Sequence, residues 1–253
     1  MLHFDDIVFG PIFSRRLGSS LGVNILPSVG KLCNFDCVYC ECGWNRDGAV
    51  EGRRFPSLRE VETALTEKIQ KAASEGVPVD SITFSGNGEP TMHPDFAQII
   101  DVTLKLRDKY FPDAKVSVLS NATLLGRDDV AHALMRVDNP ILKIDASSQE
   151  LVEQINKPVG IYRLGVVLEN MKKFEGNFIL QTMFLKSSEF DTVANGAIEA
   201  WMDIVRMLKP RQVMVYTIDR ETPDKSLEKY TVEEMTAMVQ PLKDEGFDIQ
   251  VRG

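Results

Sequence analysis

The sequence predicts an α/β fold: a parallel sheet curled into a partial, open TIM barrel of the (β/α)6 type, with a cysteine loop after its first strand. Three observations carry this. Short apolar runs alternate with amphipathic helix-like runs, the pattern of βαβ units and a parallel sheet. No repeat, low-complexity tract or Ser/Gly/Pro linker interrupts the alternation, so residues 1–253 read as one domain. Six or seven such units fit either a partial barrel or a doubly wound sheet. Once the cysteine loop is subtracted, the chain falls short of the ~250 residues typical of eight full units, and the open barrel is the expected form.

The elements follow in order. Leu21–Pro27 is an apolar strand that leads into the cysteine loop. Ser57-Leu58-Arg59-Glu60 is a capping box, opening a helix with Val61, Leu65 and Ile69 on one face. Val79–Phe84 is the next strand, ending in Ser85-Gly86-Asn87-Gly88-Glu89-Pro90, and Pro94 suits the first turn of a helix carrying Phe96, Ile99, Ile100 and Leu104. Lys115–Leu119 reads as a strand, Asp128–Val137 as a helix and Ile141–Ile144 as a strand. Helix Arg163–Phe174 closes at Gly176, and strand Phe178–Leu185 follows. Helix Ala194–Leu208 ends near Pro210, followed by strand Gln212–Ile218. The last helix, Val232–Glu245, stops at Gly246 before a terminal strand, Asp248–Val251.

Four cysteines lie within ten positions, Cys33-Asn34-Phe35-Asp36-Cys37-Val38-Tyr39-Cys40-Glu41-Cys42, and the chain has no others. The first three are spaced C-x3-C-x2-C. Three thiolates bind a [4Fe–4S] cube one short of the usual four ligands and leave one iron open. Disulfides are a rival reading, but bridging cysteines are normally scattered so as to close loops, and the N-terminus lacks an apolar signal-peptide core. Structural zinc is the stronger rival, since thiolates suit it and four cysteines would fill its shell. Against zinc, Cys40-x-Cys42 is an awkward pair and His3, His93 and His132 supply no nearby knuckle.

Net charge is −8, and 43% of residues are hydrophobic. A dedicated nucleic-acid binder more often shows a basic balance. Residues 1–54 hold six basic and six acidic side chains, so the remainder carries the whole negative balance. The less acidic rim around the cysteines could receive an acidic electron donor such as flavodoxin or ferredoxin, or an anionic substrate; solvated arginines are the plain alternative. No run is long and apolar enough to cross a bilayer. Clustered cysteines and an oxygen-sensitive kind of site point to a cytoplasmic setting.

In parallel α/β sheets the working residues sit at the C-terminal strand ends. That rule gathers the cysteine loop, Gly86–Glu89, Ser120-Asn121, Asp145 with Ser147 and Ser148, Gln181, and Thr217, Asp219 and Arg220 on one face.

With these residues in view, the chain resembles the radical SAM superfamily, whose C-x3-C-x-φ-C loop follows the first strand of a partial barrel. Here the motif is CNFDCVYC with Tyr39 at φ, and Gly86-Asn87-Gly88-Glu89 resembles the family's Gly-Gly-Glu segment. The stretches GPIFSRRLGSSLGVNILP, CNFDCVYCECG and FSGNGEPTMHPDF are most similar to stand-alone iron–sulfur oxidoreductases related to the radical SAM domain of wybutosine-synthesis enzymes.

The resemblance implies that Cys33, Cys37 and Cys40 hold a [4Fe–4S] cluster and that S-adenosyl-L-methionine chelates the fourth iron. An electron then cleaves the sulfonium, and the 5′-deoxyadenosyl radical abstracts hydrogen from substrate. It further implies that Tyr39 presents its backbone to adenine and that Gly86 and Gly88 let the main chain approach the ligand. Glu89 would accept from the cationic amine. Ser120, Asn121, Asp145, Ser147 and Gln181 would line the carboxylate or ribose, with loop capping as their plain alternative.

Cys42 sits too near Cys40 to reach the open iron easily and reads as a non-ligand. With no further cysteines an all-cysteine second cluster is impossible, which removes the analogy to the two-cluster tRNA enzymes. Arg15, Arg16 and Arg220 are candidates to clamp a carboxylate or phosphate of the substrate. The expected enzyme is therefore a radical SAM oxidoreductase or transferase acting on a small molecule, a protein or RNA. A glycyl-radical activase and an RNA-modifying enzyme are the alternatives, and a zinc-stabilised interaction module is the alternative from another class.

Overall fold

The computed structural model describes residues 4–14, 18–48 and 53–253. The chain opens with a hairpin, β1 (Val8–Ser14) and β2 (Gly18–Val23). It continues through α1 (Leu58–Ser74), β3 (Ser81–Phe84), α2 (Phe96–Tyr110), β4 (Lys115–Ser120), α3 (Asp128–Arg136) and β5 (Asn139–Lys143). Then come α4 (Gln149–Ile155), α5 (Leu164–Lys172), β6 (Ile179–Met183), β7 (Leu185–Lys186), α6 (Ala197–Leu208), β8 (Gln212–Tyr216), β9 (Glu228–Lys229), α7 (Val232–Asp244) and β10 (Ile249–Arg252).

The main sheet has eight strands in the order β1-β2-β3-β4-β5-β6-β8-β10. Only the β1–β2 pair is antiparallel; all later neighbours are parallel. Among the described residues β1 and β10 are not paired with each other, so the barrel is open. The expected terminal strand Asp248–Val251 is found as β10 at one edge of the sheet, and the antiparallel β1 at the other edge is the addition.

Three departures have local causes. Strand β1, VFGPIFS, has no counterpart among the expected elements; it holds Gly10-Pro11, which an edge strand tolerates, and the register shifts there. The first parallel strand ends at Val23, paired with Phe84, rather than at Pro27. Beyond it Asn24 turns its side chain back on the loops, accepting from Leu26 N at 3.2 Å. Helix α4 spans only seven residues, too short for a periodic signal, and is capped by Ser148.

Alternation sorts the strands into two faces. Leu21, Val23, Ile82, Phe84, Val116, Val118, Leu142, Leu180, Val213 and Val215 are buried in the extended core that the helices cover. The inner face starts at its lower end with hydroxyls and an amide. Ser20 bonds Thr83 at 2.8 Å, Ser81 bonds Thr83 at 3.0 Å and Ser117 at 3.2 Å, and Asn139 donates to Ser117 at 3.0 Å. These polar groups satisfy one another and close the floor, leaving the upper half of the barrel for a site.

Candidate functional site

The cysteine loop is shaped by its own polar residues. Asn45 Nδ2 donates to the carbonyls of Cys33 (3.0 Å) and Phe35 (3.1 Å), while its Oδ1 accepts from Cys33 N at 3.2 Å. Lys31, 1% exposed, donates to Asp36 Oδ1 and to the Gly43 carbonyl, both at 3.1 Å. The loop docks on the C-terminal end of α4 through Val38 N to Ile155 O (2.9 Å) and Asp36 N to Asn156 O (2.8 Å).

Donors point at the sulfurs. Phe35 N donates to Cys33 Sγ at 3.4 Å, Asn121 Nδ2 reaches the same sulfur at 3.7 Å, and Asn156 Nδ2 donates to Cys37 Sγ at 3.4 Å. Burial, then the charges of Glu89 and Cys37, push the Cys33 thiol up; burial and Cys40 push Cys37 up to about 11. A hydrogen bond from Cys42 holds Cys40 down at about 6, and that shared bond and burial raise Cys42. Burial disfavours the Lys31 charge, yet Cys40, Cys33 and Cys37 outweigh it and the pKa is raised. Three thiols ringed by N–H donors with a buried ammonium beside them suit a thiolate-bound polyanion such as an iron–sulfur cube. No three His, Cys, Asp or Glu side chains among the described residues are grouped to hold a single metal ion. A cube differs in that each thiolate binds a separate iron.

The Gly86–Glu89 turn is built against this loop. Leu32 N donates to Asn87 O at 2.7 Å and Glu89 N to Leu32 O at 3.2 Å. Gly88 has φ +140°, and a Cβ there would lie 1.8 Å from the Leu32 carbonyl oxygen; a Cβ on Gly86 would lie 2.2 Å from Asn24 Oδ1. The close approach that demands glycine here is to the protein's own chain, a reason for these glycines that the sequence did not show. Asn87, fully buried, donates to the carbonyls of Phe4 (2.9 Å) and Pro27 (3.0 Å).

Glu89 is 3% exposed, and burial raises its pKa. Its Oε1 accepts from Thr91 N (3.2 Å), Thr91 Oγ1 (2.5 Å) and Ser120 Oγ (2.9 Å), and Oε2 accepts from Asn121 N (2.7 Å). Each of these donors among the described residues is neutral. Asn121 in turn donates to Asn34 Oδ1 at 2.6 Å and faces Cys33. Glu89, Ser120 and Asn121 are thus brought together beside the first cysteine.

Other expected residues are placed differently. Asp145, 3% exposed, accepts from the Tyr39 hydroxyl, from Asn156 Nδ2 at 2.8 Å and from Met183 N at 2.9 Å. Both oxygens are engaged inside the protein, so Asp145 here anchors Tyr39 and the loops around it. Tyr39 gives its phenol to this network, and among the described residues its main-chain N–H and carbonyl have no hydrogen-bond partner. Ser147 precedes the α4 cap Ser148 and joins none of these hydrogen bonds among the described residues. Gln181 is buried on the inner face of β6. Arg220 pairs with Glu41 at 2.6 Å, between Cys40 and Cys42. Arg15 and Arg16 lie outside the described residues.

Lys143, Asn156, Tyr216, Lys31, Asn24 and Asn87 were not anticipated. Lys143 Nζ sits 4.7 Å from the Tyr39 ring centre and 5.0 Å from that of Tyr216, bonds both hydroxyls, and lies 3.8 Å from Asp145. Burial lowers its pKa but Asp145 and Tyr216 outweigh that and raise it. Lys143 at a strand end could have been noticed by the same rule that selected Asp145. Asn156 carries no local signal, being 119 positions from Cys37.

The family model of the radical SAM superfamily matches residues 28–185. A UPF0026 protein of Methanocaldococcus jannaschii is 30% identical over 237 residues, covering 92% of this chain and 70% of that protein. Among solved structures, a radical SAM methyltransferase from Sphaerobacter thermophilus aligns with TM-score 0.70 at 15% identity, over 95% of this chain and 67% of that one. Streptococcus suis SuiB bound to S-adenosylmethionine aligns with TM-score 0.65 at 16% identity, over 92% of this chain and 50% of that one. The chain thus spans about half the length of SuiB, and these structural likenesses show the fold. The motif-bearing segment and the fold agree, and the chain belongs to the radical SAM superfamily.

Proposed function

We propose that the chain is a single-cluster radical SAM enzyme acting on a small molecule. Cys33, Cys37 and Cys40 would hold a [4Fe–4S] cluster, and the amine of S-adenosylmethionine would lie at the Gly86–Glu89 turn. When bound, this pair would supply reductive cleavage of the sulfonium to methionine and a 5′-deoxyadenosyl radical able to take hydrogen from substrate. The observation that carries the reading is Glu89. A buried carboxylate whose partners are all neutral is ready for a cation, and it is linked through Asn121 to Cys33.

The remaining residues orient and shield. Asn121, Phe35 N and Asn156 donate to sulfur, which stabilises thiolate charge. Tyr39 is anchored by Asp145, so its main-chain groups, unpartnered among the described residues, would be held in place for an adenine edge. An acidic one-electron carrier such as flavodoxin or ferredoxin is the proposed reductant, and a reducing cytoplasm the proposed setting. No helix among the described residues is long and apolar enough to cross a membrane.

Anaerobic reconstitution tests this. The expected result is about four irons per chain with broad absorbance near 400 nm, and dithionite-dependent conversion of S-adenosylmethionine to 5′-deoxyadenosine. Cys33→Ala, Cys37→Ala and Cys40→Ala should each lose the cluster, while Cys42→Ala keeps it. A colourless, zinc-only protein, or a reduced cluster that leaves S-adenosylmethionine intact, would sink the proposal. Radical transfer to a protein or RNA instead of a small molecule would favour the activase or RNA-modifying reading.

A further inference from the structure

The upper barrel holds a cavity of about 330 Å³ that no residue discussed so far fills. Leu119, Ile141 and Met214, inward residues of β4, β5 and β8, make an apolar bed. The hairpin covers one side. Phe9 lies against Gly22, where a Cβ would come within 2.1 Å of the ring, and stacks on Phe4 with centroids 4.0 Å apart. Ser20 and Thr83 reach the cavity but spend their hydroxyls on each other.

Two polar side chains are different. Gln181 is 4% exposed and its side-chain amide makes no hydrogen bond among the described residues. No fully enclosed side-chain nitrogen or oxygen of the described residues lacks a partner, so that amide opens into the cavity. Leaving such a group unpaired is costly unless a ligand or water meets it. Arg220 lines the same cavity together with its partner Glu41. Their side chains are 61% and 40% exposed, and so open an ion pair contributes little. An incoming anion can take Arg220 from Glu41 at small cost, and guanidinium is suited to bidentate binding of carboxylate or phosphate.

We propose that this cavity is the substrate site and that it selects a small molecule with three features. These are an apolar body for the Leu119–Ile141–Met214 bed, one amide- or hydroxyl-type group for Gln181 in place of the S-adenosylmethionine contact expected of it, and an anionic head, carboxylate or phosphate, for Arg220. The site rests on the radical reading above, since Gly86 and Cys42 on its wall place it beside the Gly86–Glu89 turn and the cysteine loop. A volume of this size fits a small ligand.

Calorimetric titration of the full reconstituted chain tests this with octanoate, octyl phosphate and octanol. At least one anion should bind tenfold or more tighter than octanol, and the tighter of the two identifies the head group. Arg220→Gln should erase that advantage. N-acetylnorleucine should lose several-fold in affinity in Gln181→Leu, with octanoate unchanged. Octanol binding as tightly as both anions, an advantage that survives Arg220→Gln, or octanoate competing with S-adenosylmethionine would each overturn the proposal. Formation of 5′-deoxyadenosine by the same preparation is scored separately. Its absence, with the binding pattern intact, would count against the radical reading and not against the pocket.

Discussion

Lys31 is a charged residue with almost no exposure, placed two positions before the first cysteine of the loop. Its ammonium closes the loop by bonding Asp36 and Gly43, and the nearby thiol groups favour its charged form. Reducing a cluster adds negative charge, so a cation buried beside the thiolates favours the reduced state. Lys31→Met removes that cation and leaves Asp36 uncompensated. The midpoint potential should then fall by roughly 60 mV or more, one decade in the reduced-to-oxidised ratio of a one-electron couple. Lys31→Arg should fall less. Redox titration followed by electron paramagnetic resonance makes the measurement. A Lys31→Met protein with full iron and an unchanged midpoint would reduce Lys31 to a fastener of the loop.

At the scale of elements, the sequence was legible wherever a local signal sufficed. The capping box at Ser57 placed the start of α1, and helical periodicity located α2, α3, α5, α6 and α7 to within a few residues. What it hid depends on distant partners. Strand β1 exists because it pairs with β2 and its Phe9 lies on Gly22, despite Gly10-Pro11 in its middle. Asn87 reads as a spacer between glycines, yet it ties the Gly86–Glu89 turn to Phe4, a tie made across 83 positions. The glycines of that turn were recognised, but their crowding partners, Leu32 and Asn24, become visible only in three dimensions.

The caps themselves give a direct test of element stability. Ser57 and Glu60 bond reciprocally at the start of α1, and Thr231 and Glu234 do so at the start of α7. Ser57→Ala and Thr231→Ala should each cost about 0.5–2 kcal/mol, or roughly 2–4 °C in Tm per kcal/mol for a chain of this size. The two sites share no hydrogen-bond partner, so the double variant should show the sum. Thermal denaturation at neutral pH would read this, and a loss well below the sum would mean the two caps are coupled through the fold.

Across the whole molecule, the site is a seam between segments far apart in the chain. The cysteine loop is held by α4 and the loop after it through Val38 N, Asp36 N and Val159 N, the last donating to Asn34 O at 2.8 Å. The loop meets the strand-three turn through Leu32 and Glu89, and the strand-eight loop through Arg220 and Asp224, whose N–H donates to Val38 O at 3.2 Å. The sheet beneath is fixed instead by continuous parallel pairing and a buried apolar face. These two parts should differ in how much they depend on bound iron, because ligand binding stabilises only the states that can bind. Iron removal should therefore raise hydrogen exchange at Val38, Asp36 and Val159 together, as one locally opening unit. The amides of Val116, Val118 and Leu142 in the sheet should keep their protection. Mass-spectrometric exchange on reconstituted and iron-free protein makes the comparison. If the loop and the sheet lost protection in step, iron would be holding the whole barrel and not the seam; if neither changed, the loop would be preformed and rigid without its cluster.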